Sequence, residues 1–369
     1  MSTAIMADPP VRAARSEAVR AELAKRTHSF TELAHAVRTA GLNGRTRWFY
    51  AAVLAGLVAA LGGSFTGLVL LGDSWFQLLI AATLGIIFTQ FAFVGHEASH
   101  RQVLTSGKAN DHLGRVLAAF FVGISYAWWM NKHTRHHGNP NKVGKDPDIA
   151  LGNVAFTAED AATTSGFRAW LVRRQGWLFF PLLFLVGIDL HQESIRDLFT
   201  RRGVQGRWLE LALITARSAA YLGVLFWLLP VGMAFAFLGV QLAVFGFYMG
   251  ASFAPNHIAM PIVPHDSRLD FLDKQVLTSR NVAGGWWMTA LMGGLNYQIE
   301  HHLFPSMPRP HLFRARRLVR DHCREHGVPY TETGLFEALA IVVRYLNQVG
   351  LGAQRSGFRC PAAAGMGRP

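Results

Sequence analysis

Three histidines, His133, His136 and His137, are spaced so that a helix would carry all of them on one side. Neutral imidazoles gathered in this way can hold a borderline transition metal; the plain alternative is a solvated, histidine-rich turn. Two further pairs change the balance. His96 and His100 are four residues apart, and His301 stands beside His302. These seven, with His257 as an eighth candidate, come from a total of sixteen histidines. Each of the three clusters follows an apolar stretch. Eight imidazoles exceed the four ligands, or three plus water, that one zinc ion takes, so they suit two ions. The two cysteines, Cys323 and Cys360, lie away from the apolar runs and toward the basic C-terminal end, so no thiolate site or disulfide framework can be built from them.

The clusters can cooperate only if the chain brings them to one place. The 369 residues are 51% hydrophobic, with 26 Phe and 10 Trp, in long uncharged runs that read as membrane spans. The formal charge of +13 comes from basic residues beside those runs and at the two ends. That is the pattern of cytoplasmic loops in a membrane protein, and it argues against nucleic acid as the partner. Trp48–Leu71 and Trp75–Val94 form one predicted hairpin, and Leu209–Leu229 and Gly232–Pro255 a second, turning at Pro230. Leu113–Trp129 ends in Tyr126, Trp128 and Trp129 and reads as one in-plane or half-buried helix leading into the second cluster. Trp177–Leu190 is short for a span. If the clusters share a site, the chain crosses an even number of times between His137 and His301, so this segment is expected at the interface. Four spans result. Val282–Leu295 is apolar but interrupted, and helical periodicity resumes from Leu312 to Leu346 with a break at Gly327–Pro329. Residues 1–45 read as a basic helical arm, with Val19, Leu23, Phe30, Leu33 and Val37 on a shared face and no apolar core of a cleaved signal peptide. Residues 46–350 form the membrane domain, and 351–369 a disordered tail. The basic loops place both termini and the histidines on the cytoplasmic side of the cell membrane.

Imidazole alone does not choose among iron, copper, nickel and zinc. The setting favours a redox metal, because apolar helices offer a site only the C–H bonds of lipid tails, which need activated oxygen to break. The residues at this point resemble the membrane fatty acid desaturases. HxxxH at His96–His100, HxxHH at His133–His137 and QxxHH at Gln298–His302 stand in that family's order. The fuller strings from His133 to Asp148 and from Asn296 to Pro305 are similar to bacterial acyl-CoA or acyl-lipid desaturases and to front-end desaturases. The resemblance covers roughly residues 45–325. Taken with the four spans counted above, it implies an all-α integral membrane enzyme, four transmembrane helices in two hairpins with a cytoplasmic helical cap. It further implies a non-haem centre of two iron ions that uses O2 and two electrons to introduce a cis double bond into a long-chain fatty acyl group. His96, His100, His133, His136, His137, His301 and His302 would be the ligands by this resemblance, and His257 the additional one near the end of the last span.

The chain departs from the commonest family pattern at Gln298, where many members have histidine. Direct ligation, binding through water and simple packing all remain open there. Many front-end enzymes carry a fused cytochrome b5 domain with a His-Pro-Gly-Gly motif, which this sequence lacks. Electrons are therefore expected from a separate ferredoxin, flavoprotein reductase or cytochrome b5-like protein, attracted by the basic face. Glu97, Asp146, Asp148 and Glu300 either accept the second N–H of ligating histidines or lie as surface carboxylates. Asn256 is placed to reach the metals through water. Trp128, Trp129, Trp286 and Trp287 either line an acyl tunnel or anchor the interface. A di-iron hydroxylase of lipid or alkane would use the same site. A metal transporter would instead place its histidines near the bilayer midplane.

Overall fold

The computed structural model describes residues 29–352. Val19 and Leu23 of the expected arm, and Cys360 with most of the expected tail, lie outside the described residues. Helix α1, residues 29–39, buries Leu33 and Val37 in a small core shared with Leu272, Val276, Leu303, Leu312 and Val319.

Helices α2 (Arg47–Leu71) and α3 (Gln77–Ser99) form the first hairpin. Gln77 ties its turn by donating from Nε2 to the carbonyls of Leu68 and Gly72, both at 2.8 Å. Only 11% of the most apolar window of α2 is buried, against 56% for α3, so α3 is the inner helix. Helix α4 (Gly107–Arg115) continues into a π-helical segment (Val116–Val122) that stops at Gly123, whose φ is +96°. Helix α5 (Tyr126–Gly138) then leaves at 115°. The single in-plane helix expected over 113–129 is therefore broken, because Gly123 takes a left-handed conformation and Ser125 restarts the helix as an N-cap.

A 3₁₀ turn (Pro147–Ile149) and the short helices α6 (Ala158–Ala162) and α7 (Gly166–Val172) lead to α8 (Phe179–Thr200). At 22 residues α8 is longer than the expected 177–190 segment, because the helix runs on past Leu190 through Glu193, Arg196 and Asp197. The second hairpin is α9 (Arg207–Leu228) and α10 (Val231–His257). Helices α8 and α10 approach closely where Gly187 faces Gly246, since a Cβ on either would run into the other's backbone.

The chain after α10 forms a cap of further helices, a turn and two short strands. It comprises α11 (Phe271–Leu277), strand β1 (Asn281–Ala283), α12 (Trp286–Leu291), a 3₁₀ turn (Leu295–Tyr297), α13 (Gln298–Leu303), α14 (Arg309–Glu325), strand β2 (Glu332–Gly334) and α15 (Leu335–Gly352). The strands pair in parallel, with Asn281 opposite Glu332 and Ala283 opposite Gly334. Among the described residues five helices are long and apolar enough to cross a membrane: α2, α3, α9, α10 and α15. The first four are the expected spans. The fifth, α15, lies in the segment read from sequence only as helical.

Candidate metal centre

Helix α3 delivers His96 and His100 at its C-terminal end, α5 delivers His133, His136 and His137 in its last turns, α10 ends on His257, and α13 carries His301 and His302. Four elements distant in sequence thus point their imidazoles at one another. They form two groups. His96, His100, His133, His137 and His301 place ring nitrogens within 4.8 Å of one another, and so do His136, His257 and His302. Within the first group the Nε2 atoms of His96 and His100 lie 3.0 and 2.7 Å from Nε2 of His133, and those of His137 and His301 lie 3.1 Å apart. In the second, Nε2 of His136 lies 3.3 Å from Nε2 of His257. Stacking of His137 on His302, with ring centroids 4.2 Å apart, joins the two groups.

The rings are aimed by partners on their far nitrogens. Asp146 accepts from Nδ1 of His136 at 3.0 Å and is itself held by the N–H groups of Asn141 and Asp148. Gln275 Oε1 faces Nδ1 of His302 at 2.9 Å, while its Nε2 donates to the His137 carbonyl at 3.0 Å. The Thr278 carbonyl lies 2.9 Å from Nδ1 of His257. These contacts fix which nitrogen faces the centre, as metal-ligating histidines require. Trp129 stacks on His133 at 4.6 Å. Burial, helped by the charges that neighbouring imidazoles would carry, holds the pKa values of His137, His301 and His302 well below the ordinary histidine range. They stay neutral, the form that binds metal. Burial also opposes charge on His136, but Asp148 and Asp146 outweigh it and raise its pKa.

The residues present fit a pair of metal ions. Nε2 of His302 is buried and has no protein partner, although it sits among other imidazole nitrogens. Five nitrogens converging without enough protons to bond one another, together with three more close by, form a donor set that metal would satisfy.

The other sequence-flagged residues divide. Gln298 turns its amide to His257, with Nε2 2.8 Å from the ring Nε2, and accepts from Asn256 Nδ2 at 3.3 Å. Asp148 lies 3.3 Å from His136 Nδ1 and pairs with Lys132 at 3.0 Å. Glu97 touches no histidine side chain through its carboxylate; it forms a bidentate pair with Arg309, at 2.7 and 2.6 Å. Glu300 instead accepts from Asn281 and Tyr330, and burial pushes its carboxyl up to about 7. Trp128 is buried beside Lys132, whereas Trp286 and Trp287 are exposed. Sequence reasoning missed Gln275, Thr278 and Arg309. Gln275 carried a faint signal, a polar residue between Leu272 and Val276 on the buried side of α11.

A cavity of about 220 Å³ reaches the centre at His133, His136 and His257. Trp129, Val186, Leu190, Met249, Phe253 and Tyr345 give it a largely apolar wall. A second, smaller void of about 20 Å³ lies against His96, Ala118, Val122 and Tyr126. Trp129, Met249 and Phe253 border both and separate them.

Apolar helices capped by two groups of converging imidazoles define a membrane protein with a histidine-rich metal centre. The chain belongs to the fatty acid desaturase family, whose family model matches residues 73–334. It is 28% identical over 309 residues to a Delta(8)-fatty-acid desaturase of Helianthus annuus, covering 78% of this chain and 66% of that protein. An acyl-lipid (9-3)-desaturase of Borago officinalis is 28% identical over 75% of this chain and 65% of its own length. A Delta(6)-fatty-acid desaturase of Caenorhabditis elegans is 28% identical over 73% and 64%. The chain thus spans about two thirds of the length of these curated relatives.

Proposed function

We propose that this protein is an O2-dependent fatty acid desaturase that introduces a cis double bond into a long-chain acyl group presented as acyl-CoA or acyl-lipid. The observation that carries the reading is the apolar cavity ending on His133, His136 and His257, from both imidazole groups. The reaction balances as a CH2–CH2 unit, O2, two electrons and two protons giving CH=CH and two waters. Two iron ions held by the eight histidines would supply the activation of O2 that an unactivated C–H bond demands. The chain's own part is placement. Asp146, Gln275 and the Thr278 carbonyl hold His136, His302 and His257 in orientation. Trp129, Met249 and Phe253 line the cavity beside the imidazoles with apolar surface, which orients an acyl chain and excludes water. Gln298, through His257 and Asn256, adjusts the second group.

We read four helices, α2, α3, α9 and α10, as spans. Helix α15 begins directly after the β2 strand of the cap and exposes Arg344 and Gln348 on one side, which supports a helix lying at the interface. The histidines and the cap then face the cytoplasm of a cell membrane, where the basic loops belong. Electrons come from a separate acidic donor, a ferredoxin, flavoprotein reductase or cytochrome b5-like protein.

The test is expression with a matched reductase in a host lacking the product, followed by mass spectrometry of its fatty acids. New double bonds are expected with the wild type and none with His136→Ala. Products that gain oxygen, or an active His136→Ala variant, would overturn the reading.

A further inference from the structure

We propose that Glu210 is a positioning residue for the metal centre: through Ser125 and Ala127 it fixes the start of α5, and so where His133, His136 and His137 point. The inference rests on the metal reading above. Gly123 turns the chain and leaves α5 to begin with N–H groups that no preceding helical turn can satisfy. Ser125 Oγ accepts from the Trp128 N–H at 3.1 Å and donates to Glu210 Oε2 at 2.6 Å. The Ala127 N–H lies 3.2 and 3.3 Å from the two carboxylate oxygens. Arg115 Nε completes the set at 3.0 Å. Glu210 is fully buried in the first turn of α9, a candidate membrane helix. An ionisable side chain in such a helix is costly to keep and marks a task. Its charge also suits the positive end of α5. On the other side of the same peptide run, Arg201 Nη2 donates to the Ala127 carbonyl at 3.0 Å, and Asp197 holds Arg201.

The geometry makes α5 a lever. His133 lies eight residues beyond Ser125, about 12 Å along a helix rising 1.5 Å per residue. A tilt of about 5° at the anchored end would move the His133 ring by about 1 Å. Metal–ligand distances tolerate only about 0.2 Å. Because α5 supplies ligands to both imidazole groups, loosening its start should weaken both.

The test uses the full chain, purified in detergent and loaded with ferrous iron. Iron per protein is measured during titration with a chelator, alongside circular dichroism and the thermal midpoint of the metal-free protein. Glu210→Ala should lose iron from both positions at about tenfold lower chelator, the low end of the effect of partners that orient ligands. Ser125→Ala should show a smaller shift, and Glu210→Gln, which keeps an acceptor for Ser125, an intermediate one. Gln298→Ala is the contrast, because its amide hydrogen-bonds to His257, of the group of three, and to Asn256, and should weaken one position. If Glu210→Ala does not accumulate, Ser125→Ala and Glu210→Gln decide. Iron retention equal to wild type in these variants, with only the thermal midpoint lowered, overturns the inference alone. A wild type that binds no iron overturns the metal reading and the inference together.

Discussion

Replacing Arg309 by Met should destabilise the protein strongly, because it leaves the Glu97 carboxylate buried without its cation. Glu97 lies on α3 between His96 and His100, and its carboxylate receives Nε and Nη2 of Arg309 at 2.7 and 2.6 Å. Both side chains are almost fully buried. The Arg309 side chain stands at the start of α14, just after His301 and His302, so the pair ties the first histidine cluster to the third. Without the guanidinium, Glu97 keeps only Tyr50, whose hydroxyl lies 3.2 Å from Oε1 and 3.1 Å from Gln102 Oε1 and can donate to one of them at a time. Breaking a buried pair from one side costs about 3–5 kcal/mol, because a desolvated charge is left behind. Removing both charges costs far less. Thermal unfolding in detergent, followed by circular dichroism, should therefore rank wild type and the double variant Glu97→Gln/Arg309→Met above Arg309→Met. An Arg309→Met midpoint equal to wild type would refute the reasoning, as would a double variant that falls by the sum of the two single losses.

Asp146→Asn should lower iron affinity about 10–100-fold, since the carboxylate aims His136 through Nδ1; chelator titration checks this, and unchanged retention would remove Asp146 from that role. Cys323 should resist alkylation in the folded protein. Burial, with the carboxylates of Glu300 and Asp273, pushes its thiol up to about 12, so at pH 8 about one molecule in ten thousand carries the reactive thiolate. Labelling would rise about tenfold per pH unit toward 12, and mass mapping that finds Cys323 modified at pH 8 before unfolding would contradict this. Met249→Ala should open the partition between the two cavities and shift products toward longer acyl chains in gas chromatography; a product profile like that of wild type would show that Met249 is not the partition.

The long elements were legible because length and apolar content decide them. The runs at α2, α3, α9 and α10 are too long and uncharged to be anything but helices buried in lipid or protein. The end of α8 was not, because its last two turns are charged and look like a loop when only hydrophobicity is followed. The break at Gly123 was also hidden. A glycine in an apolar stretch is compatible with a helix, and only the packing of the π-helical segment against α3 and α9 reveals that the chain turns there. That the eight histidines gather was legible. Their supports were not, since Gln275 and the Thr278 carbonyl reach the rings through tertiary contacts from α11 and its C-cap, whose sequence gives no more than the faint signal of Gln275. Glu97 misled for the opposite reason: sitting between two candidate ligands, it turns away from them to meet Arg309.

How the eight imidazoles divide follows from helix geometry and sharpens the view that the three on α5 share a single face. Consecutive residues on a helix of 3.6 residues per turn point about 100° apart. Two adjacent histidines therefore cannot aim at the same point. His136 and His137 must serve different groups, and so must His301 and His302. The structure shows this division: His137 and His301 join the group of five, while His136 and His302 join the group of three with His257. Residues four apart differ by only about 40°, which keeps His96 with His100 and His133 with His137. Each adjacent pair thus bridges the two groups by its own backbone, and the distance between the groups is set by α5 and α13 rather than by a flexible loop. That makes the orientation of α5 the quantity on which both groups depend, and Glu210, at its far end, the residue through which a membrane helix controls it.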